Sequence, residues 1–224
     1  MATPTVTSSG ANPAALTVHP TNNYAYTADF GTLTSTPTTP STISQYKIGS
    51  DGSLTPMTTA SVAAGIGPSW LTTDPAGKYL YVVNLGDNTI GQYNISATDG
   101  SLSPMTTATV STGANTKPFS IVVDPTGSYA YVANNNTNTI GQYTIAAAGS
   151  ATPGALTAMT PATVAAGSGV LSVTIDPAGK YLYATNRAGN TVSQYTIGTG
   201  GALTPMTNAT VATGVQPTSL ATGY

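Results

Sequence analysis

The sequence contains no cysteine and no glutamate, and these two absences restrict the chemistry that the chain can perform. Without cysteine there is no disulfide, no thiolate nucleophile and no cysteine-ligated metal. Five residues are basic and seven are acidic, all seven being aspartate, and the formal net charge is −2. Binding to nucleic acid or to an anionic membrane surface requires a concentration of positive charge that this composition lacks. We therefore predict no nucleic-acid partner.

Long apolar runs and good helix formers are also scarce. No apolar run approaches the roughly 18 residues of a membrane span, so no spanning segment is predicted. The first ten residues, MATPTVTSSG, lack the basic-then-apolar pattern of a secretory signal. Threonine is abundant instead, with 43 residues beside 24 glycines and 16 prolines, which favours an all-β chain. A surface of Thr, Ser and Asn rather than charge favours an extracellular or cell-surface location.

One unit of about fifty residues recurs four times along the chain. Its clearest segment reads DPAGKYLYVVN from Asp74, and the equivalent segments begin at His19, Asp124 and Asp176. The second residue of each segment is proline, and these prolines are 55, 50 and 52 residues apart. A Gln-Tyr pair follows every time, as Gln45-Tyr46, Gln92-Tyr93, Gln142-Tyr143 and Gln194-Tyr195.

Each unit contains four segments that are typical of β-strands. In the second unit they are Trp70–Thr73, the Tyr-x-Tyr alternation from Tyr79, Thr89–Ile95, and a segment around Thr107–Ser111. Four short strands separated by Gly, Pro and Asn turns are typical of a β-propeller blade. We predict an all-β, propeller-type array of four four-stranded blades, at about residues 13–66, 67–112, 117–166 and 169–213.

Extra single strands are predicted at the two termini, residues 1–10 and 216–224. MATPTV at the start aligns with the outermost strand of a blade, and PTSLAT near the end aligns with an innermost one. Because unpaired strand edges recruit other chains, we expect copies of the chain to associate head-to-tail as a ring or a filament. The residues expected in these contacts are Thr5, Val6, Pro217 and Leu220. The alternative is that the sequence is a fragment of a larger ring.

The repeat resembles a known family. DPAGKYLYVVN from Asp74, DNTIGQYNI from Asp87 and DGSLSPM from Asp99 are similar to the YVTN-type and lactonase-like β-propeller superfamily. The resemblance recurs over almost the whole chain and implies a ring of seven blades, of which about half is present. It also implies two kinds of function, because members include sugar-lactone hydrolases and extracellular surface proteins with no known chemistry.

The lactonase-like members are thought to use Glu, His and Arg around the central channel, and this chain has one His and one Arg. His19 occupies the position that is Asp in the other repeats, where a side chain caps a turn. Arg187 lies in an Asn-Arg-Ala-Gly-Asn turn, which favours a solvated rim position. An Asp beside His19 and Arg187 in one pocket would favour an enzyme, but no acid–base pair is visible in the sequence.

Three other features invite a binding site. The repeated Asp74, Asp124 and Asp176 precede prolines, which favours turn caps over a metal site with several converging oxygens. The tyrosine pairs suit packing between blades better than a platform for sugars. Trp70 replaces a small residue of the other repeats and either stacks on a ligand or fills space.

The predicted function is a non-catalytic, self-assembling extracellular scaffold, with no catalytic residues, metal or cofactor. The weak ligand-binding candidates are Trp70, His19 and Arg187. The alternatives are a lactonase-like hydrolase, or a fragment of one, and a carbohydrate- or protein-binding module.

Overall fold

The computed structural model describes residues 10–31 and 41–221, which form sixteen β-strands. None of these residues belongs to a helix long and apolar enough to cross a membrane. The strands are β1 Pro13–Val18, β2 Tyr24–Asp29, β3 Thr42–Ile48, β4 Leu54–Ala63, β5 Pro68–Thr73, β6 Tyr79–Asn84, β7 Thr89–Ile95, β8 Leu102–Ser111, β9 Pro118–Val123, β10 Tyr129–Asn134, β11 Thr139–Ile145, β12 Leu156–Ala165, β13 Val170–Ile175, β14 Tyr181–Asn186, β15 Thr191–Ile197 and β16 Leu203–Ala212.

Every four consecutive strands form one antiparallel sheet in sequence order, which gives four separate sheets. The first strands of neighbouring sheets, β1, β5, β9 and β13, contact one another in turn. The sheets are therefore propeller blades with their first strands innermost, and the predicted all-β array of four blades is confirmed. We refer to them as the first to fourth blades.

The outermost strand of each blade is longer than the sequence pattern suggests. In the second blade it covers Leu102–Ser111, whereas the prediction placed it around Thr107–Ser111. An irregularity in the ladder between Gly91 and Tyr93 allows the strand to continue past Pro104. Proline cannot donate to a ladder, but on an edge strand its missing N–H costs nothing.

The apolar core lies between blades, in three separate clusters. Between the second and third blades, Tyr81 and Ile90 pack against Ile121, Val132 and Tyr143, all of them buried. The same positions pack between the first and second blades and between the third and fourth. The prediction that the tyrosine pairs pack between blades is confirmed for the first three blades. The second rings, Tyr26, Tyr81 and Tyr131, are completely buried, and the first rings pack against the same clusters as partly buried residues.

Two hydrogen bonds link the side chains of one blade to the backbone of the next at each junction. The hydroxyl of Tyr81 donates to the carbonyl of Gly154 at 2.7 Å. The amide of Gln92 donates to the Thr107 carbonyl of its own blade, and its Oε1 accepts the N–H of Leu156 at 2.7 Å. The first junction repeats this pattern with Tyr26–Gly100 and Gln45–Leu102, and the third with Tyr131–Gly201 and Gln142–Leu203.

Burial keeps the core tyrosines in their neutral, hydrogen-bond-donating form. It raises the pKa of Tyr93 and of Tyr143 to about 12. The pKa of Tyr81 is also raised, first by burial and then by the charge of Asp74. Since the phenolate form is disfavoured inside the junctions, the bond from Tyr81 to the next blade persists throughout the neutral pH range.

The predicted terminal strands are not both borne out. Residues 217–221 belong to no strand, so the inner strand expected at Pro217 and Leu220 is wrong for this part of the chain. An innermost strand is stabilised by its ladder to the second strand of the same blade, and residues 217–221 pair with no such strand among the described residues. The other expected edge residues, Thr5 and Val6, lie outside the described residues.

Truncating one buried ring tests the junctions. Replacing Tyr131 by Ala should lower the free energy of unfolding by about 3–5 kcal/mol, because the ring is fully buried between two blades. Replacing the exposed turn residue Asn136 by Ala should change it by no more than about 0.5 kcal/mol. Urea denaturation measures both values. Equal, small effects would contradict the blade assignment.

Candidate functional site

The Asp-Pro turns follow the C-terminal ends of the innermost strands, and there the aspartates cap backbone groups. In the second blade, Asp74 Oδ1 accepts the N–H groups of Lys78 and Tyr79 at 2.6 and 2.7 Å, and Oδ2 accepts that of Ala76. Asp124 and Asp176 make the same three contacts in the third and fourth blades. This is the turn-capping role that the sequence predicts.

His19 takes the capping position in the first blade and uses both ring nitrogens. The N–H of Thr21 donates to Nδ1 at 3.2 Å, and the Thr21 hydroxyl lies 2.8 Å from the same atom. Because Nδ1 accepts, Nε2 carries the proton and donates to the Gly77 carbonyl of the second blade at 2.8 Å. The side chain is 7% exposed. His19 therefore joins two blades, as a structural residue does.

The other four carboxylates also have hydrogen-bond donors close by. Asp87 accepts the N–H of Ile66 at 2.6 Å. The remaining three bind hydroxyl groups, Asp29 those of Thr27, Thr42 and Ser44, Asp51 that of Ser53, and Asp99 that of Ser101.

Hydrogen bonds keep the exposed turn carboxylates ionised. Those from Ser96 and Ser101 lower the pKa of Asp99 to about 2. The hydrogen bonds from the side chain and backbone of Ser53 lower the pKa of Asp51. A carboxyl that gives up its proton this readily is a poor general acid near neutral pH.

At the opposite end of the innermost strands, between the third and fourth blades, lies a cavity of about 380 Å³. Its wall includes the apolar side chains of Phe119 and Leu171 and the polar side chains of Asn135, Arg187 and Gln216. The Arg187 guanidinium donates to Gln216 Oε1 at 3.3 Å and is otherwise exposed. The cavity thus combines one accessible cation, amide groups and an apolar wall.

The three candidate residues from the sequence do not form one site. His19 lies at the Asp-Pro end of the innermost strands, and Arg187 lies at the other end, where its N–H bonds to Gly169 just before β13. Trp70 lies on β5 and is 36% exposed, at the position of Ala15 and Ser120 in the ladders of the neighbouring blades. Trp70 is not among the residues that line the Arg187 cavity.

The structure also shows a role for residues that the sequence did not single out. Asn88 has a positive φ, and its Oδ1 accepts the N–H of Lys117 in the link to the next blade at 2.8 Å. In the same way, Asn138 Oδ1 accepts the N–H of Gly169, and Asn190 Oδ1 accepts the N–H of Gln216. The signal was available in the sequence, because an Asn-x-x-x-Asn spacing recurs at the end of the second strand in these three blades.

The family of this chain is defined by the fold together with the sequence. The family described as "Lactonase, 7-bladed beta-propeller" matches residues 2–222, which is nearly the whole chain. The protein belongs to this family. No curated protein matches the sequence.

Solved structures place the chain among lactonase-like propellers. It resembles a putative 6-phosphogluconolactonase from Bacteroides fragilis NCTC 9343 with a TM-score of 0.75 and 25% identity, over 94% of this chain and 60% of that one. For the periplasmic gluconolactonase of Pseudomonas aeruginosa, the TM-score is 0.71 at 20% identity, over 86% and 55% of the two chains, which shows a shared fold alone. The four blades thus span less than two thirds of these relatives.

A substitution that restores the repeat tests the structural role of His19. His19→Asp should retain most of the stability, since Asp caps the same turn in the other three blades. His19→Ala should cost about 1–3 kcal/mol, because the turn loses its cap in addition to the bond to the Gly77 carbonyl, which both substitutions remove. Thermal or urea unfolding of the two variants measures the difference. Equal destabilisation by both substitutions would show that capping is not the role of this residue.

Proposed function

We propose that the chain is a non-catalytic binding module of the lactonase propeller family, with its ligand site in the cavity beside Arg187. The proposal rests on the hydrogen bonds that the ionisable side chains make within the fold. The seven aspartates and both nitrogens of His19 are engaged in turns, strand ends and blade contacts, and none of these residues lines the cavity that contains the guanidinium. The exposed guanidinium of Arg187 lines the cavity and is therefore accessible to a ligand.

Ring opening of a lactone by water is faster when a positioned base removes a proton from that water. Glutamate is absent, and the capping aspartates lose their turn contacts if they take up a proton. Among the residues that the structure describes, no carboxylate lines the wall of the Arg187 cavity. The cavity therefore suits binding better than proton transfer.

The wall of the cavity indicates the chemistry of its ligand. A guanidinium recognises a carboxylate or a phosphate through two parallel hydrogen bonds. The side-chain amides of Asn135 and Gln216 are suited to hydroxyl groups, and Leu171 offers an apolar surface. A volume of about 380 Å³ accommodates a small molecule. Because the relatives are named for gluconolactone and its 6-phosphate, gluconate and 6-phosphogluconate are the first ligands to test.

Two further parts of the sequence prediction stay predictions. The first is a scaffold role, with association between copies of the chain. The second is a location outside the cytoplasm, with which the periplasmic gluconolactonase among the similar structures is compatible.

Lactone hydrolysis is the second candidate, because the family and the names of the relatives favour it. We expect the purified chain to leave gluconolactone at its uncatalysed rate of hydrolysis, measured by proton release in weakly buffered solution. A rate above that level which disappears in His19→Ala or Arg187→Gln would overturn the non-catalytic assignment. The His19→Asp variant controls for loss of folding.

Removal of the Arg187 guanidinium tests the ligand site. Gluconate or 6-phosphogluconate should raise the midpoint of thermal unfolding in a concentration-dependent way, because a ligand that binds only the folded state stabilises it. Arg187→Gln should weaken this effect at least tenfold in apparent dissociation constant. Lys180→Gln removes an equal charge from the far end of the fourth blade and should leave binding unchanged. Equal binding by all three proteins would exclude the Arg187 cavity.

A further inference from the structure

The first junction between blades contains an imidazole where the second junction has a carboxylate. His19 of the first blade donates to the Gly77 carbonyl of the second blade, and its ring lies edge-on to that of Tyr24, with 5.7 Å between the ring centroids. The equivalent residues at the second junction, between the second and third blades, are Asp74, Gly127 and Tyr79. A carboxylate has no N–H, so Asp74 cannot make the bond to the third blade that His19 makes to the second.

The space beside Gly127 differs accordingly. A Cβ added to Gly77 would collide with the His19 ring. For Gly127, the only described atom within 4 Å of such a Cβ, apart from its chain neighbours, is Pro75 Cδ at 3.5 Å. The Gly127 carbonyl accepts no hydrogen bond from the residues that the structure describes. The second junction thus has the acceptor that His19 uses at the first, with room for a donor beside it.

A cavity of about 510 Å³ lies in this space. Its wall is formed by the Asp-Pro turns of the second and third blades and by the start of the link between the third and fourth strands of the third blade. This link covers residues 146–155 and is longer than the equivalent links, at residues 49–53, 96–101 and 198–202. Because the second and third blades each pack against a neighbour on both sides, the cavity belongs to an internal junction of the array.

Asp74 gives the wall of the cavity a buried negative charge, since this residue is 5% exposed. Its Oδ1 accepts two backbone N–H groups, while among the described residues Oδ2 accepts only the N–H of Ala76, at 3.1 Å. In the third blade the hydroxyl of Thr126 also donates to Oδ2 of Asp124, at 2.5 Å. Ala76 stands at the position of Thr126 and has no hydroxyl, so Oδ2 of Asp74 retains a lone pair for a further donor.

The phenol of Tyr79, which also lines the cavity, indicates the sign of charge that is favoured there. Burial, and after it the charge of Asp74, raises the pKa of this phenol. A field that disfavours a phenolate favours a cation. Lys78 lines the cavity too, but it is exposed, so solvent screens its charge more than that of the buried Asp74.

We propose that this cavity binds a small primary amine in its ammonium form. The ammonium nitrogen takes the place that Nε2 of His19 has at the first junction. One of its N–H groups donates to the Gly127 carbonyl, and a second donates to Oδ2 of Asp74. Hydrogen bonds between an ammonium and a carboxylate are charge-assisted and are stronger than those between neutral groups.

The rest of the wall indicates the size and polarity of the amine. Pro75, Ala146 and Ala147 are apolar, and Ser128 adds one hydroxyl group. A short aliphatic chain therefore suits this wall better than a second charged group. The cavity lies at the Asp-Pro end of the innermost strands, whereas Arg187 lies at the other end and offers a cation. The two cavities thus select ligands of opposite charge.

An NMR titration of the isotope-labelled chain with propylammonium tests the site at about pH 7, where a primary amine is protonated. Saturable shifts are expected in the backbone amide signals of residues 126–128 and 146–148, with a dissociation constant in the millimolar range. The matched control is the trimethylpropylammonium ion, which has the same charge and chain but no N–H. It should bind at least tenfold more weakly, because both hydrogen bonds are lost.

Three substitutions address the carboxylate. Ala76→Thr supplies the hydroxyl that Thr126 has in the third blade, so it should occupy Oδ2 of Asp74 and raise the dissociation constant at least fivefold. Ala178→Thr makes the same change in the turn of the fourth blade and should leave the constant within about twofold. Asp74→His places an imidazole between the turns, as His19 does at the first junction, and should abolish binding while the turn stays capped.

Removal of the exposed ammonium distinguishes a cation site from an anion site. Lys78→Gln should lower the dissociation constant for propylammonium about two- to threefold, because a like charge is removed from the wall. Weaker binding of propylammonium by this variant would contradict the proposal.

Two further outcomes would overturn it. The first is a lack of saturable shifts at residues 126–128 and 146–148, or equal shifts with the two ammonium ions. The second is a dissociation constant that Ala76→Thr and Asp74→His leave unchanged. Arg187→Gln should bind propylammonium as the unmodified chain does, so the result does not depend on the ligand site beside Arg187.

Discussion

The fold depends on a polar bond placed inside an apolar junction. A propeller blade has two faces and little core of its own, so each sheet is stable only when its neighbours cover it. The tyrosine hydroxyls and glutamine amides bond to the backbone of the next blade, and a slip by one residue would leave them buried without a partner. Apolar packing stabilises the stack, and these polar bonds fix the register in which the blades pack.

Three of the seven aspartates cap the Asp-Pro turns, and the other four accept hydrogen bonds from nearby hydroxyl or N–H groups. Each Asp-Pro turn needs one carboxylate to collect three backbone N–H groups, which leaves few acidic groups for any other purpose. The first blade shows that the need is for an acceptor and not for a negative charge, because His19 accepts the turn N–H there and adds a bond to the next blade. The carboxylates are used in this way at turns and strand ends, and none of them is among the described residues that line the cavity beside Arg187, which is the basis of our proposal of a binding site.

The fold was more accessible from the sequence than the site was. The fourfold spacing of DPAGKYLYVVN-like segments predicted the blades, because period-2 alternation and turn residues are local properties of the chain. The register across a blade junction is not local. Nothing near Gln92 in the sequence indicates that its Oε1 meets Leu156, which lies 64 residues away. For the same reason, the sequence could not show that His19 and Arg187 lie at opposite ends of the innermost strands, or that residues 217–221 form no strand.

Three asparagine side chains fix the path by which the polypeptide leaves a blade. Asn88, Asn138 and Asn190 each precede in sequence the segment whose N–H they accept, so the second, third and fourth blades each fix the path by which the polypeptide leaves them. Blades can then be added one by one to a growing edge, as subunits are added to a filament, with no search for a distant partner strand. Each blade therefore needs only the edge of the blade before it in order to pack.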